Sequence, residues 1–383
     1  MAHEFTLRSM KVLIALQENP LGTYEHLSKR TGYAKSVVYE IVQNLSSGLD
    51  RVNFTRKPYF HVVADLNLWN LGLEIVDVLV SADSEKKTQF VEQLCYEHPY
   101  TSYRARCFGD TNGLLIQFRM PMGYSDQIES LFQIIQDKGL IDHFSVLPFI
   151  KSQSIYSNPN VDHWVPSTYS WAFNWAQWFS IEPEIPRPIL PTNKSGNAKK
   201  WLKKSDVAII RELICNARRK NIDIMESLQK NDFKFTPQTF SRRLKRIKEQ
   251  CIRGYRVFLD PYIFDLYSTV FVWGHGNKED LEILKARMTI SPIPFETIFK
   301  ISNNQLFWYL VLPPTHLSEL LFHLRPILTN MCFSYIDFTR SRTYRLWPPT
   351  FDNQQSEWRI ARAFLIDNVL EKTYKNVKSN RTF

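Results

Sequence analysis

The 383-residue chain holds only 12 glycines and five cysteines, and each scarcity excludes a chemistry. Cys95, Cys107, Cys215, Cys251 and Cys332 are odd in number and scattered, with no CxxC pair and no histidine at ligand spacing. Neither a disulfide framework nor a zinc site is therefore expected, and a reducing cytoplasm is the expected location. The glycines form no phosphate-cradling loop and no nucleophile elbow. Long apolar runs are also missing. The most apolar stretch, LGLEIVDVLV, is short and carries Glu74 and Asp77, and the N-terminal MAHEFTLRSM has no apolar core for a signal sequence, so no membrane association is expected.

What is present is a folded chain, 44% hydrophobic, in which acids are outnumbered: 48 Lys and Arg against 38 Asp and Glu give a net charge of +10. The excess is concentrated. Residues 201–260 alone carry +8, and the ten residues SRRLKRIKEQ at 241–250 hold five cations and one acid. Such a balance points to a polyanionic partner if the cations share one face.

The chain repeats one plan. Residues 6–150 run three short helical patterns, a hairpin, and then strand, helix, strand, strand, helix, strand; residues 205–345 do the same. LEIVDVLVSA and LYSTVFVWGH alternate as strands should, SYRARCF with LLIQFRM and FETIFKI with LFWYLVL form paired strands, and DQIESLFQII and HLSELLFHLR supply the second helices. This β-α-β-β-α-β order is the split ferredoxin-like unit. The expected class is α+β. The expected domains are a winged helix-turn-helix over 1–65, a ferredoxin-like domain over 66–150, a Trp- and Pro-rich connector with a short helix over 151–200, a second winged helix over 201–260, a second ferredoxin-like domain over 261–345, and a C-terminal helix with a basic tail over 346–383.

In the first helical unit, Thr23 caps a helix that breaks at Gly32, and the next helix turns Val38, Ile41, Val42 and Leu45 inward. Lys35, Ser36, Tyr39 and Gln43 are left outward, with Arg56 and Lys57 in the wing. In the second, Phe240, Leu244, Ile247 and Cys251 make the inward stripe and force Gln238, Thr239, Arg242, Lys245, Arg246 and Lys248 to the other faces, followed by a hairpin-like RGYRVFLD. These two outward sets are the expected DNA contacts.

RLKRIKEQCIRGYRVFLDP (243–261) and HPYTSYRARCFGDTNGLLIQF (98–118) resemble the recognition-helix-to-wing segment and the middle strands of the Lrp/AsnC (leucine-responsive) regulators, present twice over about three quarters of the chain. The resemblance implies a non-enzymatic transcription regulator that binds double-stranded DNA, built as an intramolecular pseudo-dimer of winged helix and RAM-type ferredoxin-like domains. It implies no catalytic residue, cofactor or metal. Family members often hold a small effector near a Gly-Asp turn, here Gly109 and Asp110 against Ser302 and Asn303, but no effector is assigned. Further homo-oligomerisation through the ferredoxin-like domains is left open.

Two other readings stand beside this one. Fused chains of this architecture also resemble siroheme decarboxylases, in which basic and His residues of the regulatory-type domain hold a tetrapyrrole and protonate the product. His98, Tyr103, Arg104 and Arg106, with Ser291, Phe295 and Glu296 in the second copy, lie where such a site would be sought. The other reading is a protein-interaction scaffold using the stripe Trp171, Trp175, Trp178, which is otherwise expected to be a core-packed helix.

Overall fold

The computed structural model describes residues 6–47, 49–51, 55–149, 154–165, 167–168, 170–184, 197–259 and 268–379. The first copy begins with α1 (Leu7–Glu18), α2 (Tyr24–Thr31), α3 (Lys35–Ser47), β1 (Leu49–Arg51), β2 (Thr55–Lys57), β3 (Phe60–Leu66) and α4 (Leu68–Leu71). Thr6 and Thr23 accept the backbone N–H groups of Ser9 and His26 and so start α1 and α2, while Gly32, with φ of +74°, ends α2. There follow β4 (Leu73–Ser81), α5 (Glu85–Glu97), β5 (Thr101–Gly109), β6 (Gly113–Pro121), α6 (Asp126–Asp137) and β7 (His143–Val146). The connector holds β8 (Ile155–Ser157), β9 (Trp164–Val165), β10 (Ser170–Trp171) and α7 (Trp175–Phe179).

The second copy runs α8 (Lys204–Asn216), α9 (Asn221–Gln229), α10 (Pro237–Gln250), β11 (Ile252–Leu259), β12 (Ser268–Gly276), α11 (Lys278–Ile290), β13 (Glu296–Ser302), β14 (Gln305–Leu312), α12 (Pro314–Leu324) and β15 (Leu328–Thr343). It is followed by β16 (Phe351–Asp352), β17 (Glu357–Trp358), a π turn over Ala363–Asp367 and α13 (Asn368–Ser379). The fold is mixed α+β, with the ferredoxin-like order occurring twice.

Both ferredoxin-like units order their strands as the motif requires, β7-β4-β6-β5 and β15-β12-β14-β13, and β5 pairs with β15 so that all eight, extended by β8 on β13, form one nine-stranded sheet. The seam explains the Gly-Asp turn. Gly109 has φ of +138°, and a Cβ there would lie 2.7 Å from the Phe333 carbonyl oxygen. Asp110 donates its N–H to that oxygen at 3.1 Å and accepts the Phe333 N–H on Oδ2 at 2.6 Å. This turn is occupied in joining the copies.

The hairpin expected at RGYRVFLD is corrected. It is the single strand β11, and its partner is β3 of the other copy, from Ile252 opposite Leu66 to Leu259 opposite Phe60. An edge strand carries unpaired N–H and C=O groups, and here each winged unit satisfies the other's edge.

Along each ferredoxin-like strand one set of side chains packs under the helices, as Val76, Val78 and Val80 do with no exposed surface. The other set faces the opposite copy. Lys300 of β13 donates to Asp77 of β4, the rings of Phe149 and Phe307 lie 6.0 Å apart, and the hydroxyls of Tyr103 and Tyr309 are 3.5 Å apart. The halves therefore meet across their inner faces, with a polar stripe through the contact.

The tryptophan stripe is core rather than one continuous helix: Trp171 is in β10, and only Trp175 and Trp178 are on α7. Both of the latter are buried against the second copy, Trp178 donating to the Ser291 carbonyl at 2.6 Å and Trp175 donating to His316 Nδ1 at 3.2 Å. The C-terminal segment docks on the first copy, where Trp358 donates to the Leu71 carbonyl and Phe90 meets Tyr374. Among the described residues no helix is long and apolar enough to cross a membrane.

Candidate active site between the two copies

Strand alternation decides which groups reach the inter-copy space. On β5, Tyr103 faces inward, so its neighbours Arg104 and Arg106 must face the helices, where they pair with Glu92 and with Glu85 and Glu92. On β6, Gln117 lies beside Tyr103 in register, and Arg119 shares its face two residues further on. On β13, Ile298 is flanked by Tyr156 of β8 and Tyr309 of β14, and Glu296 lies two residues along on the same face.

Arg256 of β11 completes the cluster from the winged unit. Its guanidinium carbon stands 5.2 Å from the Tyr156 ring centre, and Arg119 lies in the neighbourhood of the same tyrosine. Ser341 of β15 lies near the Tyr103 hydroxyl. Five elements of both ferredoxin-like units, the connector and a wing strand thus converge on one junction.

The electrostatics of this junction are unbalanced in a specific way. Among the described residues no carboxylate pairs with Arg119 or Arg256, and no donor bonds to the Glu296 carboxyl. Among the described residues the Arg119 side chain bonds only to the Tyr344 carbonyl, at 3.3 Å, and burial lowers its guanidinium to about 10. Burial pushes the Glu296 carboxyl above the usual carboxylate range, with Arg256 opposing the shift. Burial also pushes the Tyr103 phenol up to about 12 and holds the Tyr309 phenol well above its ordinary value. Protonated phenols, a carboxyl whose acid form burial favours and guanidiniums without an ion pair are therefore held together.

The duplication has not kept these groups at the equivalent strand positions. The hairpins close at Cys107–Gly113 and Ser302–Gln305, so Arg119 corresponds to Val311 and Tyr103 to Ile298. Arg256 is opposite Val63 at the centre of the β3–β11 pair, which makes Val63 its counterpart.

Of the residues singled out in the sequence for a tetrapyrrole site, Tyr103 and Glu296 meet here. His98 does not. It is buried under the helices, accepts the Tyr100 N–H at 3.3 Å, packs against Phe118, and is lowered to about 3 by burial. Ser291 and Phe295 belong to the tryptophan packing. Arg119, Tyr156, Arg256 and Tyr309 were not anticipated. The alternation of β6 and β14 marked the inner faces, but no local signal said that β8 and β11 would be brought beside them.

The expected DNA contacts occupy the outer surface. Phe240, Leu244, Ile247 and Cys251 are buried as the stripe requires, worth roughly 1.5 to 3 kcal/mol for each large side chain. Gln238, Arg242, Lys245 and Lys248 are exposed and Thr239 is half-buried, whereas Arg246 stacks on Trp201 at 4.2 Å. On α3, Lys35 and Ser36 are exposed, while Tyr39 and Gln43 both contact Tyr24. The side chains of Arg56 and Lys57 lie outside the described residues.

No protein-family model and no curated protein sequence matches the chain. A crystal structure of the siroheme decarboxylase NirDL in co-complex with an iron-uroporphyrin III analogue is similar over 97% of this chain and 99% of that one, with a TM-score of 0.51 and 12% identity. An AsnC family transcriptional regulator from Agrobacterium tumefaciens (19% identity, TM-score 0.28) covers 37% of this chain and 88% of its own, and E. coli AsnC (14%, 0.27) covers 37% and 89%. The fold is accordingly Lrp/AsnC-like in a tandem duplicated arrangement. The expectation of a DNA-binding, non-enzymatic regulator is corrected by this finding: the likeness that spans both chains is to an enzyme.

Proposed function

We propose that the chain is a siroheme-decarboxylase-like enzyme, which binds an iron tetrapyrrole bearing several carboxylates at the inter-copy junction and releases a side-chain carboxyl as CO2. The observation that carries this reading is the pair of guanidiniums, Arg119 and Arg256, that form no ion pair among the described residues, with the Glu296 carboxyl near Arg256 but not bonded to it. Holding a charge partly out of water without an ion-pair partner costs free energy, so these half-buried guanidiniums call for an anionic ligand. Arginine is suited to carboxylates because its planar fork can donate two parallel bonds. The rings of Tyr103, Tyr156 and Tyr309 add apolar surface for a flat macrocycle.

Titrating the chain with iron-uroporphyrin III and following the visible absorption tests the binding. Saturable binding is expected, with Arg119→Ala and Arg256→Ala each weakening it about 10- to 150-fold, the worth of a charged hydrogen bond. Incubation with siroheme, followed by mass spectrometry, should show loss of CO2 from the macrocycle. A flat titration, or variants that bind as the parent does, would overturn the reading.

A further inference from the structure

We infer that the carboxyl of Glu296 is the acid that delivers a proton to the substrate carbon after CO2 has left. This rests on the decarboxylase reading and adds to it a catalytic residue. In the step, the bond between the side-chain carbon and its carboxylate breaks, CO2 departs, and the electron pair stays on carbon. The Glu296 O–H bond then breaks, its proton forms the new C–H bond, and Glu296 is left as a carboxylate that solvent reprotonates. Atoms and charge balance with no oxidant or reductant.

Three observations single out this side chain. The first is place: Glu296 shares the inner face with Tyr156 and Tyr309, beside the guanidiniums that would hold the substrate. The second is freedom, since no described donor occupies its carboxyl. The other inner-face carboxylate, Asp77, is committed to Lys300 and to Gln117 Nε2 at 2.9 Å. The third is the character of its neighbours. Facing it are Arg256 from β11, Tyr309 from β14 and Tyr103 from β5, with Tyr156 from β8 and Arg119 from β6 beyond, and only the arginines carry charge. The phenols are poorer donors, because burial holds both above their ordinary range. Lys300 is engaged by Asp77, and the Cys107 thiol is buried and pushed up to about 12.

The test compares the full-length chain with E296Q and E296D in single-turnover decarboxylation of siroheme, alongside absorption titrations with iron-uroporphyrin III. E296Q should bind like the parent yet turn over about a hundred- to ten-thousand-fold more slowly, the usual worth of a positioned acid, and E296D should recover part of the rate. A carboxylic acid carbonyl band in the infrared spectrum of the ligand-free parent that persists above pH 4.5 and is absent from E296Q is the accompanying signature. Parent binding and turnover with an unimpaired E296Q, or no such band, overturns the inference and leaves the decarboxylase reading standing. A parent that binds no iron tetrapyrrole overturns both.

Discussion

Lys300 of β13 donates to Asp77 of β4, 223 residues earlier in the chain; both side chains are almost wholly buried, and their pair ties the inner faces of the two copies together. Deleting one partner strands the other in a low-dielectric interior. Asp77→Ala should cost about 3 to 5 kcal/mol, while the apolar double replacement Asp77→Leu with Lys300→Met should lose far less. Denaturant midpoints measure both, and a double variant weaker than the single one would refute the account.

Arg119 is held at a cost, because burial disfavours its charged form and its twin position is Val311. Arg119→Leu should be no less stable than the parent and should weaken macrocycle binding about 10- to 150-fold, as Arg119→Ala does, the trade-off expected where function keeps a charge partly out of water. Thermal unfolding and the absorption titration report the two effects. A less stable variant that still binds would contradict the assignment.

Helix α10 separates its structural face from its charged one. Phe240→Ala should cost about 3 to 5 kcal/mol. Replacing Arg242, Lys245 and Lys248 together by alanine should stay within about 0.5 kcal/mol per position of the parent. Macrocycle affinity should be unchanged in that triple variant, and a weakened titration would place the site on the outer surface instead.

The raised Glu296 carboxyl also predicts a pH dependence of stability. The folded state binds its proton more tightly than the unfolded state, so this contribution is complete below the unfolded value near 4.5 and is lost as pH rises through the folded one. Glutamine cannot titrate. The stability of the parent relative to E296Q should therefore fall as pH increases above 4.5, measured by denaturation across that range. A difference that grows with pH would mean that the carboxylate, not the acid, is the favoured form.

The periodicities were sufficient to place β4, β5, β6, β12, β13 and β14 and the inward stripe of α10, since each depends only on residues close in sequence. They were insufficient for β11, because its pairing with β3 is a long-range choice that a hairpin-like stretch does not announce. The same limit applied to the site. Arg104 and Arg106 attracted attention as a basic pair beside Tyr103, but alternation turns them towards Glu92 and Glu85.

By itself the sequence determined that a β-α-β-β-α-β unit occurs twice, with which side chains fall on which face of each strand and helix, because those periods are local properties of an L-polypeptide backbone. Only the tertiary structure decided that β5 and β15 would fuse the two units into one sheet, and that Arg119, Tyr156, Arg256, Glu296 and Tyr309 would share a junction. The physical reason is that a cluster of unpaired charges and neutral acids is disfavoured in isolation. It exists because the packing of two large apolar cores places its members together.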